Sequence, residues 1–155
     1  MRQLSIAVPL LLAACGTTPR GAAEPATIEL HARDAVVHGQ QLRYEPQPHK
    51  NTLGYWTNPA DWAQWHVPIE RPGTYEVHVL QGCGAGQGSS RVRVSLGDQS
   101  LTFTVQDTGH FQNFVWRNIG KIEVPKPGRY SLEVRPETLA ARAVMDLRQV
   151  NLVRR

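Results

Sequence analysis

Two stretches of the chain carry side chains that could do chemistry together. Tyr55-Trp56-Thr57-Asn58-Pro59-Ala60-Asp61-Trp62-Ala63-Gln64-Trp65 holds four aromatic rings among amide, hydroxyl and carboxyl groups, and Thr108-Gly109-His110-Phe111-Gln112-Asn113-Phe114 repeats the mixture. Flat rings beside planar amides suit a sugar. A pyranose lays its apolar C–H face on an aromatic ring, while its hydroxyls need partners that both donate and accept. Tyr55 and Trp56 precede an Asn-Pro-Ala-Asp turn, where a ring can be displayed. Trp62 and Trp65 have opposite parity in a strand, so they face opposite ways, and core packing is the simpler role for them.

Other chemistries lack their equipment. The six histidines form no HxH or HExxH pair. His66 and His78 are positioned to be neighbours across a hairpin, as solvated side chains. There is no GxSxG elbow. The Gly-rich run Gly82–Gly88 lacks the Lys-Ser/Thr of a phosphate loop, and its place between strands suits a tight or bulged connection. Cys83, within that run, reads as a small buried thiol at a strand end. Acids that meet in space could still serve glycoside hydrolysis, but a domain this small leaves little room for a deep cleft.

These residues must be positioned by strands. The 155 residues, 41% hydrophobic and 19% charged, suffice for one packed domain. The period is two. Tyr75, Val77 and Val79 alternate with Glu76 and His78; Val92, Val94 and Leu96 with Arg93 and Ser95; Leu101, Phe103 and Val105 with Thr102 and Thr104; Tyr130, Leu132 and Val134 with Ser131 and Glu133. Ile28–His31, Trp62–Ile69, Val115–Val124 and Val144–Val153 give weaker strand signals. Arg71-Pro72-Gly73, Leu96-Gly97-Asp98 and Lys126-Pro127-Gly128 are turn sequences, the Pro-Gly pairs fitting the centre of a type II turn. Each Pro-Gly precedes a Tyr-led strand, suggesting equivalent places in two sheets. Near the C-terminus Met145 and Leu147 are odd, Val150 and Leu152 even. A β-bulge near Arg148–Gln149 would return all four to one face. The prediction is an all-β, two-sheet antiparallel sandwich.

The N-terminus reads as an address. Arg2 precedes the short apolar run Leu4–Ala14, and Leu12-Ala13-Ala14-Cys15 resembles the bacterial lipoprotein processing box. The expected organisation is a signal peptide over 1–14, a tether over 15–27 acylated at Cys15, and a domain over 28–155. That places the protein in the bacterial cell envelope, periplasmic or outer-membrane face, held to the membrane by its lipid. With Cys15 acylated, Cys83 has no disulfide partner within the chain. A net charge of +4, dispersed along the chain, argues against nucleic acid.

Several segments carry a family likeness. Ile28–Ala35, the run Asn51-Thr52-Leu53-Gly54-Tyr55 with Asn58, Asp61 and Trp62, then Pro72-Gly73-Thr74-Tyr75, Thr108–Phe114 and Val144–Leu147 together resemble family-six-type carbohydrate-binding modules. His38–Gly54 and Leu80–Gly84 are similar to the C-terminal β-sandwich domain of some bacterial sulfatases, here without a sulfatase active-site motif. The resemblance implies a galactose-binding-like jelly roll with a sugar site on the loops at one edge. It matches Tyr55 to one aromatic wall, Phe111 to the other where a Trp is usual, and Asp146 to a hydrogen-bonding Asn. It also makes Glu29 a candidate ligand for a structural calcium, although His31 stands where an acidic ligand is common.

The resulting expectation is a non-catalytic carbohydrate-binding lipoprotein. Tyr55 and Phe111 clamp a ring, Trp56 and His110 widen the walls, and Asn113 and Asp146 read hydroxyls. Its partners would be a polysaccharide or glycan, with a sulfated one among the candidates, and an envelope enzyme. The charge of Asp146 would repel a sulfated sugar unless Arg117, Arg135 or Arg148 offsets it. The alternatives are a structural or protein-interaction sandwich, a detached sulfatase-type accessory domain that binds no sugar, and an enzyme built on paired carboxylates.

Overall fold

The computed structural model describes residues 26–155. The proposed signal peptide, Cys15 and most of the proposed tether lie outside that range. In chain order the strands are β1 Thr27–His31, β2 Val36–His38, β3 Arg43–Glu45, β4 Thr52–Gly54, β5 Trp62–Ile69, β6 Gly73–Cys83, β7 Arg91–Leu96, β8 Gln99–Thr104, β9 His110–Val124, β10 Gly128–Pro136 and β11 Asp146–Arg154, with a single 3₁₀ turn at Ala32–Asp34.

Two antiparallel sheets pack face to face. One runs β3-β4-β11-β6-β9, with β1 also paired to β11; the other runs β2-β5-β10-β7-β8. This is the expected two-sheet sandwich. The alternating residues face inward as their period requires: Val77, Val79, Val92, Val94, Leu132 and Val134 have no exposed surface. Each such side chain contributes about 1.5–3 kcal/mol through burial.

The parity slip resolves as a bulge. The β11–β6 register shifts between Leu147 and Gln149, and Met145, Leu147, Val150 and Leu152 are all fully buried. The same irregularity divides one edge of β11 between two partners. Leu147 pairs with Leu53 of β4, whereas Gln149–Val153 pair with β1. Thr27 thus lies opposite Val153, at the far end of β11 from Asp146.

The Pro-Gly segments correct one expectation. They are not type II reversals. Gly128 has no positive φ, and Gly73, at +138°, lies well away from the type II value. Each segment instead carries the chain from one sheet to the other, β5 to β6 and β9 to β10. A tyrosine hydroxyl pins each crossing. Tyr75 donates to the Arg71 carbonyl at 2.6 Å and Tyr130 to the Lys126 carbonyl at 2.7 Å, both four residues upstream. This crossing also separates His66 from His78. They sit in different sheets, His66 opposite Ser131 and His78 opposite Asn118 and Asn151, so they are not a hairpin pair. Leu96-Gly97-Asp98 does turn a hairpin. Leu96 pairs with Gln99 and Gly97 has φ +61°, the glycine-first pattern of a II′ turn.

A second correction matters for the site. Thr108–Phe114 is not a loop throughout, because β9 begins at His110, which pairs with Cys83. The three short strands β2, β3 and β4 were also not anticipated. Each has only three residues, too few to show a period.

Candidate functional site

A cavity of about 240 Å³ opens at the β11 end that carries Asp146, lined by Glu45, Lys50, Tyr55, Thr57, Phe111, Gln112, Ala143 and Asp146. It gathers residues from β3, the β3–β4 and β4–β5 loops, β9, the β10–β11 loop and the start of β11.

Tyr55 stands out because its neighbour is held in. Trp56 is fully buried; its indole N–H donates to the Asp61 carbonyl at 2.9 Å, and its own carbonyl accepts from Val144 at 2.8 Å. Tyr55 takes φ +57°, a conformation side chains rarely adopt, and keeps 49% of its surface exposed. The Arg43 guanidinium stacks over its ring at 3.5 Å. Such strain at an exposed ring is characteristic of binding sites.

The loop after Tyr55 is set by Asp61, itself buried. Its carboxylate accepts from the backbone N–H groups of Gln40, Gln41 and Leu42, at 3.2, 2.8 and 2.9 Å. Burial pushes this carboxyl up, but those three bonds outweigh it and hold it below the usual carboxylate range.

Phe111 is seated by glycine. A Cβ on Gly84 would lie 2.6 Å from Phe111 Cε2, and one on Gly82 would collide with the Phe111 carbonyl oxygen. The Gly-rich run is therefore a bed for this residue rather than an anion loop. Cys83 lies between them, buried, with its thiol pushed up to about 11 by burial and by the charges of Asp107 and Asp146. That keeps it protonated and unreactive at neutral pH.

The floor is acidic. Asp146 is 5% exposed and Glu45 8%. Both carboxylates converge beside Gly54, where a Cβ would collide with Glu45 Oε2 and lie 3.3 Å from Asp146 Oδ1. Lys50 donates to Glu45 Oε1 at 2.7 Å, and Gln112 Nε2 to Asp146 Oδ2 at 3.3 Å. Burial, and then the Glu45 charge, push the Asp146 carboxyl up to about 7 against the pull of Gln112, Lys50 and Arg148. Arg148, the bulge residue, donates to the carbonyls of His49 and Lys50 at 2.6–2.9 Å and lies over the Phe114 ring at 3.7 Å. The bulge thus aims a guanidinium at the loop that holds Lys50.

Of the six nominated sugar contacts, Tyr55, Phe111 and Asp146 line the cavity. Trp56 does not, and its expected role in the walls is withdrawn: a ring with no exposed surface offers no face to a ligand. His110 and Asn113 are exposed but lie outside the lining. His110 Nδ1 accepts from the Gln112 backbone at 3.1 Å, and Asn113 Nδ2 donates to the Thr108 carbonyl at 2.7 Å. Their contacts shape the start of β9. Arg135, considered as a counter-charge for Asp146, is on the other sheet with its guanidinium 3.3 Å from the Trp62 ring. The Trp62 ring is also stacked by His38 at 3.8 Å. Glu29 pairs with His31 at 3.3 Å, and among the described residues no three His, Cys, Asp or Glu gather as a metal site.

Glu45, Lys50, Thr57, Gln112 and Ala143 were missed. Thr57 and Gln112 had a signal, each lying inside one of the two stretches singled out first, next to nominated neighbours. Glu45 and Lys50 flank Pro46-Gln47-Pro48 as opposite charges, a pattern too common to single out.

The two-sheet jelly roll is a fold that carbohydrate-binding modules of known structure share. Among solved structures, the chain is similar to the C-terminal CBM6 of LamC, a marine laminarinase from Zobellia galactanivorans (TM-score 0.67, 16% identity, 83% of this chain and 100% of that one). It is also similar to a family 35 carbohydrate-binding module from Clostridium thermocellum (TM-score 0.63, 14% identity, 82% and 97%). The insecticidal crystal protein Cry2Aa shares the fold over 83% of this chain and 21% of its own (TM-score 0.67, 16% identity). At these identities the likeness shows fold alone. No curated protein matches the chain. The chain belongs to the family described as domain of unknown function DUF5077, whose model matches residues 35–154.

Proposed function

We propose that this domain binds carbohydrate without acting on it, holding one sugar residue in the pocket between β3, β9 and β11. The observation that carries this reading is one cavity lined by the strained, half-exposed Tyr55 ring, Phe111 and the buried Asp146 carboxyl. The rings supply apolar faces. Asp146, Gln112, Thr57 and Lys50 supply acceptors and donors for hydroxyls. The architecture shared with carbohydrate-binding modules supports it. A sulfated sugar fits the floor poorly, because Lys50 is already bonded to Glu45 and Arg148 to backbone carbonyls.

The N-terminal sequence supports a lipid-anchored form acylated at Cys15, so that the domain holds glycan at a bacterial envelope, alone or beside an enzyme. Globomycin-sensitive processing and metabolic labelling with a fatty-acid analogue, both lost in Cys15→Ala, test the anchor.

The binding test is retention of the full chain on immobilised polysaccharides. Tyr55→Ala is expected to lose retention at unchanged melting temperature; equal retention overturns the assignment. One observation favours a second reading. Glu45 and Asp146 converge in the pocket as a carboxylate pair with one member raised towards neutrality, as in glycosidases. Release of reducing sugar by the chain, lost in Asp146→Asn, would establish that reading instead.

A further inference from the structure

The pocket floor is short of hydrogen-bond donors. Glu45 has one side-chain partner, Lys50, on Oε1, and Asp146 has one, Gln112, on Oδ2. Glu45 Oε2 and Asp146 Oδ1 accept no hydrogen bond from the described residues, and both lie against Gly54, whose missing Cβ makes room for the Glu45 carboxylate beside Asp146. Both residues are largely buried and both line the cavity, and neither oxygen is among the buried unpartnered atoms of the described residues, so what these two oxygens present is presented to the cavity.

The nearby cations do not make up the shortage. Lys50 spends its charge on Glu45. Arg148 directs its guanidinium at the His49 and Lys50 carbonyls and covers Phe114. Arg43 lies over the Tyr55 ring. A carboxyl raised to about 7 with a lysine and an arginine nearby fits the same deficit.

We propose that the pocket selects a sugar bearing a protonated amine, with the ammonium seated against Asp146 Oδ1 and Glu45 Oε2 and the ring against Tyr55 and Phe111. The proposal rests on the sugar-binding reading and names its substrate class. An ammonium brings three donors and a positive charge to two carboxylate oxygens that lack both. A hydroxyl brings one donor and no charge. A carboxylate or sulfate brings neither and meets like charge. Tyr55 and Phe111 line the same cavity, so the apolar face of the same residue has somewhere to rest.

The test compares sugars that differ at one substituent. Glucosamine, galactosamine, glucose, galactose and glucuronic acid are titrated into the full-length chain at pH 7, followed by saturation-transfer NMR and calorimetry. At least one amino sugar should bind about tenfold or more tightly than its parent hydroxyl sugar, and glucuronic acid should bind worst. In Asp146→Asn, which keeps the shape, the amine-to-parent ratio should fall towards one. A parent sugar that binds as tightly as its amine, or a ratio that survives in Asp146→Asn, overturns the proposal and leaves sugar binding standing. So does retention on a polysaccharide with none of the five sugars bound. A chain that binds none of them and is retained on no polysaccharide overturns both.

Discussion

Trp56 anchors the ring that Tyr55 displays. The indole is wholly buried and bonded to the Asp61 carbonyl, while the residue immediately before it has half its surface in solvent. The two positions should therefore separate under mutation. Trp56→Ala removes a large core side chain and should cost about 3–5 kcal/mol, read by urea denaturation. Tyr55→Ala should shift stability by about 0.5 kcal/mol or less while retention on polysaccharide is lost.

Phe111 can be tested without touching it. Gly84→Ala places a methyl 2.6 Å from Phe111 Cε2, at a backbone conformation that alanine accepts. The ring must move. Binding should weaken more than tenfold, with a stability loss of about 1–3 kcal/mol from overpacking. Unchanged binding would remove Phe111 from the site.

Asp146 makes stability depend on pH in an unusual direction. Its carboxyl is raised to about 7, above its unfolded value, so folding favours the protonated form. The associated stability is fully present below about pH 4 and is lost as pH rises through 7. Asp146→Asn, neutral throughout, should be more stable than the parent at pH 8 by about 1–3 kcal/mol, with the difference vanishing near pH 4. Matched thermal melts at the two pH values check this.

Asp61 works in the opposite sense. Its carboxyl is held below the usual range despite burial, by bonds from Leu42, Gln41 and Gln40. Its contribution is present above the ordinary carboxylate value and is lost as pH falls through the lowered one. Asp61→Ala leaves three backbone donors short of an acceptor and should cost about 3 kcal/mol at pH 7, read by denaturant unfolding.

Cys83 should resist alkylation by iodoacetamide in the folded chain and react fully in 6 M guanidinium, because the thiol is buried and raised to about 11. Rapid labelling of the native chain would contradict the packing beneath Phe111.

The sandwich was legible because long strands carry their period in the open. Val77, Val94 and Leu132 face inward as alternation requires, and one parity break between Leu147 and Val150 located the bulge. The site was only half legible. Tyr55 drew notice through its place in an aromatic cluster before a turn and Asp146 through a family likeness, whereas the fate of Trp56 depended on whether a loop carries its ring in or out, which composition does not encode. Glu45 and Lys50 meet because a five-residue spacing is folded back between two three-residue strands, and the Gln112–Asp146 contact joins positions 34 residues apart. Exposed Trp116, on the outer face of the first sheet opposite Leu80, gave no signal either, since an inward or outward ring reads alike in an edge strand.

The pairing of Thr27 with Val153 fixes a direction for the whole domain. Asp146 and Val153 are seven positions apart along one extended strand, which sets them about 20–25 Å from each other. Whatever precedes Ala26 enters at the foot, and the acidic recess opens at the crown. A domain moored by its leading end would hold its mouth away from the mooring, turned towards whatever polymer lies beyond.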